Sequence, residues 1–353
     1  MALFQSNSRT TCALLIAALA AVAIAYGQEE QTQKPPEPGA IRVQVNEVIV
    51  PVTVTDDKGR FVSNLEESDF KIFDEGKEQK ILYFSREHKQ PVVVGFLVDM
   101  SNASRIHWNK YKEAVEELIL TMLPNDKKYS GYLISYSNEA ELQVNTTSDP
   151  EKLLEKVRKM KPGGGAALYD AVWMACTSRS LVKGEPIEPR RVVIVIGDGH
   201  DSASKRHLEE VLEIAQRNLV TIYGVSTVAF GFNVDGEKNL TKLAEDTGGR
   251  VEYPLQKLYS GVSGYLSTPS DEGNYALKVG TGGYASEIAS GIFRAVANVA
   301  GEVTTQYIIR YIPDNADTGR VFRSVEVKVN LPSAKVRARK GYFPFGPEVT
   351  GAK

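Results

Sequence analysis

The sequence predicts an α/β domain with a doubly wound, mostly parallel sheet, inserted into a small all-β sandwich module. Two patterns support this fold class. The segments 92–98 and 192–196 are continuously apolar, which is typical of strands covered by helices on both faces. The flanking segments 41–90 and 303–345 instead alternate apolar with polar residues, which is typical of half-buried strands. We therefore assign 91–302 to the α/β domain and both flanks to one β module, with two separate β appendages as the alternative.

Each element of the first flank has a local signal. Valines alternate along 48–54, and the phase of the alternation slips at Asn46, where a bulge would fit. Residues 70–73 and 81–84 are predicted to form a hairpin around a turn at 74–77. The second flank is predicted to supply strands at 306–312, 324–329 and 335–339, before a tail at 346–353.

The central domain alternates strands with helices. Apolar residues at helical spacing predict a helix over 108–122. Asp149 followed by Pro150 predicts the start of a helix through Met160, and Ser204 is predicted to cap another helix. Further strands are predicted at 132–136 and 221–228, and further helices from Leu168, over 240–246 and over 286–299. Such alternation predicts a parallel sheet with helices on both faces.

The N-terminal region has the pattern of an export signal. Residues 12–25 are an uncharged apolar run of signal-peptide length, and Ala25-Tyr26-Gly27 has the small residues that precede a cleavage site. We predict a signal peptide at 1–27, with cleavage after Ala25 or an uncleaved anchor as alternatives, and a flexible linker at 28–40. The mature protein is then periplasmic or extracellular, with no stable membrane span.

Composition and motif content argue against several classes of function. Lys plus Arg number 42 against 44 for Asp plus Glu, so the net charge of −2 gives no general attraction to nucleic acid. The glycines at 163–165 lack the spacing of phosphate-binding loops, and the four histidines show no metal-ligand or triad spacing. Ser101 lacks the sequence of a nucleophile elbow. We predict that the protein is not an enzyme, and a metallohydrolase using Asp99 and Asp198 is the least favoured alternative.

Two acidic residues lie where a wound sheet binds ligands. Asp99 and Asp198 each follow an apolar strand, and the crevice at the carboxyl ends of such strands is the usual binding place. Ser101 adds a hydroxyl two residues after Asp99. Oxygen ligands without a cysteine cluster suit a hard cation such as Mg²⁺ or Mn²⁺. If the two strands are neighbours, the sequence predicts a divalent-cation site between them.

Six segments of the chain together resemble a known family: VNEVIVPVTVTDDKGRFVSNLEESDFKIFDEGKEQKI, GFLVDMSNAS, GGGAALYDAV, VVIVIGDGHDS, YIIRYIP and KVRARKGYFP. They are similar to the von Willebrand factor A domain, and specifically to the family described as VWFA-related from acidobacterial genomes. The resemblance implies a metal-ion-dependent adhesion site, with Asp99, Ser101 and Asp198 as ligands.

The implied adhesion site departs from the family pattern at two positions. Ala103 stands where the family has a second serine, and Ala166 stands where it has a threonine. Alanine has no side-chain oxygen, so two of the expected ligand groups are missing. Ser104, one residue later, is the candidate substitute, and water could fill the remaining coordination positions.

The sequence therefore favours an exported, non-catalytic binding or adhesion module that recognises a protein or surface ligand, through a divalent cation at the crevice. His200 and Asp201, in the second loop, are further candidates for ligand binding. A Gly-, Ser- and Tyr-rich insertion at 256–283 offers Tyr265 and Tyr275 as recognition aromatics. A metal-independent interaction scaffold, in which this insertion carries recognition, is the alternative.

Overall fold

Fourteen strands and six α-helices make up the described part of the chain. The computed structural model describes residues 47–86, 91–105, 108–177, 189–227, 234–254, 281–314 and 321–344. The predicted signal peptide, linker and tail lie outside these residues, as do the phase slip at Asn46, most of the 256–283 insertion, and Tyr265 and Tyr275.

The elements follow one another in chain order. The strands are β1 (Val48–Thr55), β2 (Phe70–Asp74), β3 (Lys77–Gln79), β4 (Tyr83–Ser85), β5 (Val92–Asp99), β6 (Tyr129–Tyr136), β7 (Ala140–Thr147), β8 (Arg190–Gly197), β9 (Thr221–Ser226), β10 (Val251–Glu252), β11 (Tyr307–Tyr311), β12 (Arg323–Val329), β13 (Lys335–Ala338) and β14 (Gly341–Tyr342). The helices are α1 (Trp108–Met122), α2 (Pro150–Lys159), α3 (Leu168–Thr177), α4 (Leu208–Arg217), α5 (Val234–Asp246) and α6 (Thr281–Thr305). None of these helices is both long and apolar enough to cross a membrane.

Six strands form the central sheet, in the order β10-β9-β8-β5-β6-β7. Neighbouring strands are parallel, except that β7 runs antiparallel to β6 at the edge. The sequence prediction missed β7 because Leu142 and Val144 are its only large apolar residues, and an edge strand is only half covered. The order of the strands reverses between β5 and β8, so the carboxyl ends of these two strands form the switch point of the sheet.

Alternate residues of the central strands face two separate cores. On one face, Val94, Phe96 and Val98 of β5 pack with residues of α1, α2 and α6. On the other face, Val93 and Leu97 pack with residues of α3, α4 and α5. Because both faces are covered by helices, the strand must be apolar at every position, which explains its continuous apolar run.

Two four-stranded sheets form the sandwich, and each contains strands from both flanks of the sequence. One sheet has the order β13-β1-β11-β4, and the other has the order β14-β12-β2-β3. Their inward side chains share one core, to which β1 contributes Val48, Val50, Val52 and Val54. The predicted fold class, a mostly parallel α/β domain inserted into a β-sandwich, is therefore confirmed.

The hairpin of the first flank differs from the prediction. Glu75 and Gly76 have positive φ values of 50° and 77° and form a two-residue turn, so β2 pairs with β3 and Asp74 lies opposite Lys77. The strand at 83–85 is β4, which belongs to the other sheet and pairs with β11. The prediction failed because the Lys-Glu-Gln sequence of β3 has no apolar residue to mark it as a strand.

Several helix boundaries also differ from the prediction: α5 begins at Val234 and not at 240, and α6 begins at Thr281 and not at 286. Helix α4 begins at Leu208 with His207 at the N-cap, where the Glu210 carboxylate accepts a hydrogen bond from the His207 backbone at 3.0 Å. Ser204 is therefore not the cap of this helix. Helix α6 runs beyond the predicted end at 299 to Thr305, because its apolar face continues into the core through Val303.

A buried polar cluster connects the α/β domain to the sandwich. Its centre is Glu302, near the end of α6, whose side chain is fully buried. Glu302 Oε1 accepts hydrogen bonds from the hydroxyls of Thr53 in β1 (3.1 Å) and Tyr223 in β9 (3.4 Å). Glu302 Oε2 forms ion pairs with Arg250, just before β10 (2.9 Å), and with Arg337 in β13. One carboxylate therefore joins both parts of the fold.

Candidate functional site

The register of the central sheet places three residues in one row at its carboxyl edge. Asp99 lies opposite Tyr136 of β6; on the other side Val98 lies opposite Ile196 of β8, and Gly197, the next residue, lies beside Asp99. Asp198 follows Gly197 directly. The structure thus brings Asp99 and Asp198, which are 99 positions apart in sequence, to the same edge at the switch point.

Asp99 is buried, with 2% of its surface exposed. Its Oδ1 accepts a hydrogen bond from the backbone N–H of Ser101 at 2.7 Å. Burial raises the pKa of the Asp99 carboxyl to about 6, and the negative charge of Asp198 adds to the rise, whereas hydrogen bonding from Ser101 and from the Ser104 hydroxyl opposes it. Positive charge placed beside this carboxyl would stabilise its ionised form.

Four buried oxygens around this carboxyl make no hydrogen bond of good geometry among the described residues, although the hydroxyls of Ser101 and Ser104 lie near enough to Asp99 to lower its pKa. They are Asp99 Oδ2, Ser101 Oγ, Ser104 Oγ and Tyr136 OH. Ser104 and Ala103 share a short 3-10 turn in which Ser104 is buried and Ala103 is exposed. A buried polar group that lacks a partner costs about 1–3 kcal/mol, so this group of oxygens favours the binding of an ion or of water.

The loop around Ala166 is fastened to the loop that follows β8. The Ala166 backbone N–H donates to Ser202 Oγ at 3.1 Å, and the Ala166 carbonyl accepts from the backbone N–H groups of Ser202 (2.8 Å) and Ala203 (3.0 Å). The side chain of Ala166 is buried and supplies no oxygen. The backbone therefore holds both loops in place at a position where the family pattern would add a threonine hydroxyl.

The other two described candidates have different surroundings. Asp201 Oδ2 accepts hydrogen bonds from the backbone N–H of Tyr169 (2.9 Å) and from the Ser204 hydroxyl (2.6 Å), so this carboxylate caps the start of α3. His200 is exposed, and its backbone N–H donates to Asp198 Oδ1 at 2.8 Å. Ligand binding by His200 and Asp201 stays a prediction.

Gly199 holds the Asp198 loop against the first turn of α5. It has a φ of +78°, and a Cβ on it would overlap the carbonyl oxygen of Gly236. We expect Gly199→Ala to lower the free energy of unfolding by at least about 2 kcal/mol in urea titrations, because it adds this overlap to the cost of the left-handed backbone. Gly59 has the same φ, and no atom of the described residues lies within 4 Å of its Cβ position, so Gly59→Ala is the matched control at about 1 kcal/mol. Equal losses would mean that α5 does not constrain the loop.

The donor set suits one class of cation. Among the described residues, no group of three or more Asp, Glu, His or Cys side chains could hold a metal ion. The candidate site instead combines two carboxylates, Asp99 and Asp198, with the hydroxyls of Ser101 and Ser104. Mg²⁺ usually takes one or two carboxylates and keeps several waters, so these residues fit Mg²⁺ or Mn²⁺ and lack the ligands that Zn²⁺ prefers.

The sequence of the α/β domain matches a known family. Residues 94–258 match the family model described as the von Willebrand factor type A domain. This segment is a von Willebrand factor type A domain. It includes Asp99, Ser101 and Asp198, which the resemblance assigns to the adhesion site. Von Willebrand factor type A domains are generally non-catalytic interaction modules.

Several solved structures are similar to this chain at low identity. A conserved hypothetical protein, BatB from Bacteroides thetaiotaomicron, is 19% identical with a TM-score of 0.32, over 38% of this chain and 66% of that protein. The von Willebrand factor domain of a type V pili tip protein from Porphyromonas gingivalis is 21% identical with a TM-score of 0.28, over 32% of this chain and 39% of that one. A serine-substituted aerotolerance-related membrane protein from Bacteroides fragilis is 14% identical with a TM-score of 0.38, over 49% and 97%.

The chain thus spans less than two thirds of the first two of these structures. No curated protein matches the sequence of the chain.

Proposed function

We propose that this chain is an exported, non-catalytic binding module whose von Willebrand factor type A domain captures a protein or surface ligand through a divalent cation. The ligand binds at the crevice between the carboxyl ends of β5 and β8. The observation that carries the proposal is the group of buried oxygens beside Asp99 that make no hydrogen bond of good geometry among the described residues. A carboxyl whose pKa is raised by burial and by a second carboxylate is stabilised when a cation binds.

The cation is Mg²⁺ or Mn²⁺, and its protein ligands are Asp99, Ser101 and Asp198. Ser104 replaces the hydroxyl that Ala103 lacks. Its burial supports this role, as does its Oγ, which makes no hydrogen bond of good geometry among the described residues. Water takes the place of the hydroxyl missing at Ala166 and reduces the affinity. When bound, the ion supplies positive charge that attracts a carboxylate of the ligand.

Export is proposed from the sequence of the N-terminal region. The apolar run at 12–25 and the small residues before position 28 support a cleaved signal peptide. The mature module would then meet its ligand in the periplasm or outside the cell.

Calorimetry tests the cation site directly. We expect wild-type protein to bind Mg²⁺ and Mn²⁺, and we expect Asp99→Ala to weaken binding at least about tenfold, because it removes a charged ligand from a buried position. Asp149→Ala is the matched control, since Asp149 Oδ1 accepts a hydrogen bond from the backbone two residues ahead at 3.1 Å, as Asp99 does, but caps α2. Absence of binding heat in wild-type protein would contradict the cation site.

Partner capture from cell-envelope extracts tests the rest of the proposal. Immobilised wild-type protein should retain a ligand that a chelator releases, and immobilised Asp99→Ala should fail to retain it. Retention that survives both the chelator and the substitution would favour the metal-independent scaffold. Turnover in a screen of phosphoester, peptide and glycoside substrates would favour the hydrolase.

A further inference from the structure

We propose that Tyr136 is a positioning residue of the cation site, whose hydroxyl binds Asp99 Oδ2, directly or through one water, when the ion is bound. The inference rests on the proposed cation site and adds to it a residue that the sequence analysis did not select. Tyr136 belongs to neither of the loops that carry the proposed cation ligands.

The place of Tyr136 follows from the register and from a glycine. Tyr136, Asp99 and Gly197 lie side by side on β6, β5 and β8, and side chains in one row of a sheet point to the same face. A Cβ at Gly197 would overlap the Tyr136 hydroxyl oxygen, and it would lie 2.9 Å from Asp99 Cβ and 3.3 Å from Asp99 Oδ2. The phenol therefore reaches across β5, into the space that the glycine leaves beside the Asp99 carboxyl.

The hydroxyl of Tyr136 and the second oxygen of Asp99 complement each other. Tyr136 is 1% exposed, and its hydroxyl has no hydrogen-bond partner among the described residues. A tyrosine hydroxyl has an ordinary pKa of about 10, so at neutral pH the phenol keeps its proton and can donate it in a hydrogen bond. Asp99 Oδ2 is a buried acceptor that no donor among the described residues meets in good hydrogen-bond geometry.

A second tyrosine on the same strand, Tyr132, has a similar ring position but a different hydroxyl environment. Tyr132 precedes Tyr136 by four residues, lies on the same face and covers Gly95 as Tyr136 covers Gly197. Its hydroxyl, however, donates to the Ala175 carbonyl at 3.3 Å, inside the core. Packing of the ring therefore accounts for Tyr132, whereas the hydroxyl of Tyr136 lies at the edge of the sheet, beside the two carboxylates.

The test compares Tyr136→Phe with Tyr132→Phe. For Tyr136→Phe we expect Mn²⁺ binding about tenfold weaker by calorimetry, with the melting temperature of the cation-free protein unchanged or raised, because a buried hydroxyl without a partner has been removed. For Tyr132→Phe we expect the reverse: unchanged Mn²⁺ affinity and a lower melting temperature, because a buried carbonyl loses its donor. Tyrosine-sensitised Tb³⁺ luminescence should fall in Tyr136→Phe and persist in Tyr132→Phe.

The outcomes distinguish failure of the proposed cation site from failure of the proposed role of Tyr136. If wild-type protein binds no Mn²⁺, the cation site itself is wrong, and the role of Tyr136 falls with it. If wild-type and Tyr136→Phe proteins bind Mn²⁺ equally, the cation site stands and only the role of Tyr136 is wrong. If Tyr136→Phe lowers the melting temperature of the cation-free protein as much as Tyr132→Phe does, the hydroxyl is structural and the inference is overturned.

Discussion

Replacement of Glu302 by alanine is expected to lower the free energy of unfolding by about 3–4 kcal/mol. The substitution leaves Arg250 and Arg337 beside each other without their shared carboxylate, and it leaves the hydroxyls of Thr53 and Tyr223 without an acceptor. The two arginine side chains keep 24% and 30% exposure, so water can solvate them in part, and Arg250 keeps its ion pair with Glu252 at 2.8 Å. This exposure places the expected loss toward the lower end of the range for broken buried ion pairs.

Urea unfolding of matched variants measures this loss. Glu213→Ala is the control, because Glu213 forms an ion pair with Arg217 at 2.7 Å with 49% of its side chain exposed, and such pairs contribute less than about 1 kcal/mol. Glu302→Gln keeps the size of the side chain and removes its charge, so we expect an intermediate loss. Similar losses for Glu302→Ala and Glu213→Ala would mean that the buried cluster does not hold the sandwich to the α/β domain.

The stability of the cation-free protein is expected to fall by about 3 kcal/mol between about pH 4 and pH 6 through Asp99 alone. The pKa of Asp99 is raised from 3.8 to about 6 in the folded protein, first by burial and then by Asp198. Between these two values the folded protein binds a proton that the unfolded chain has released, so stability decreases as the pH rises. Above pH 6 the full loss of stability is present, and a bound cation should offset this loss.

Chemical denaturation in chelator across this pH range measures the effect. Asp99→Asn is the reference, because it keeps the shape of the side chain and does not titrate. We expect the stability of wild-type protein to fall below that of Asp99→Asn as the pH rises, and we expect Mg²⁺ to recover the difference for wild type only. Parallel curves for the two proteins in chelator would show that folding does not raise the pKa of Asp99.

Most elements were predictable because their signals are local. The apolar runs of β5 and β8 and the Asp149-Pro150 start of α2 were read from neighbouring residues, and the structure has them at those places. β3 and β7 were missed because edge strands are only partly covered and need few apolar residues. The predicted pairing of β4 with β2 was wrong. A two-residue turn follows β2 and leads directly into β3, so β3 pairs with β2 and β4 pairs with β11.

In the candidate site, too, residues with a local sequence signal were predictable and the others were not. Asp99 and Asp198 could be selected because each follows an apolar strand, and that position has a meaning in any wound sheet. Tyr136 could not be selected, because its closeness to Asp99 depends on the register of β5 and β6 and on the missing side chain at Gly197. Glu302 was missed because its partner Thr53 lies 249 positions away, beyond any local pattern.

The sequence by itself determined the fold class, the order of most elements and the two acids at the ends of β5 and β8. It could do so because burial on one face or on two faces imposes a residue pattern within each element. Only the tertiary structure decided which oxygens surround Asp99 and which carboxylate joins the sandwich to the α/β domain. Those contacts depend on strand register and on side chains that meet across the sheet, and neither produces a periodic pattern in the sequence.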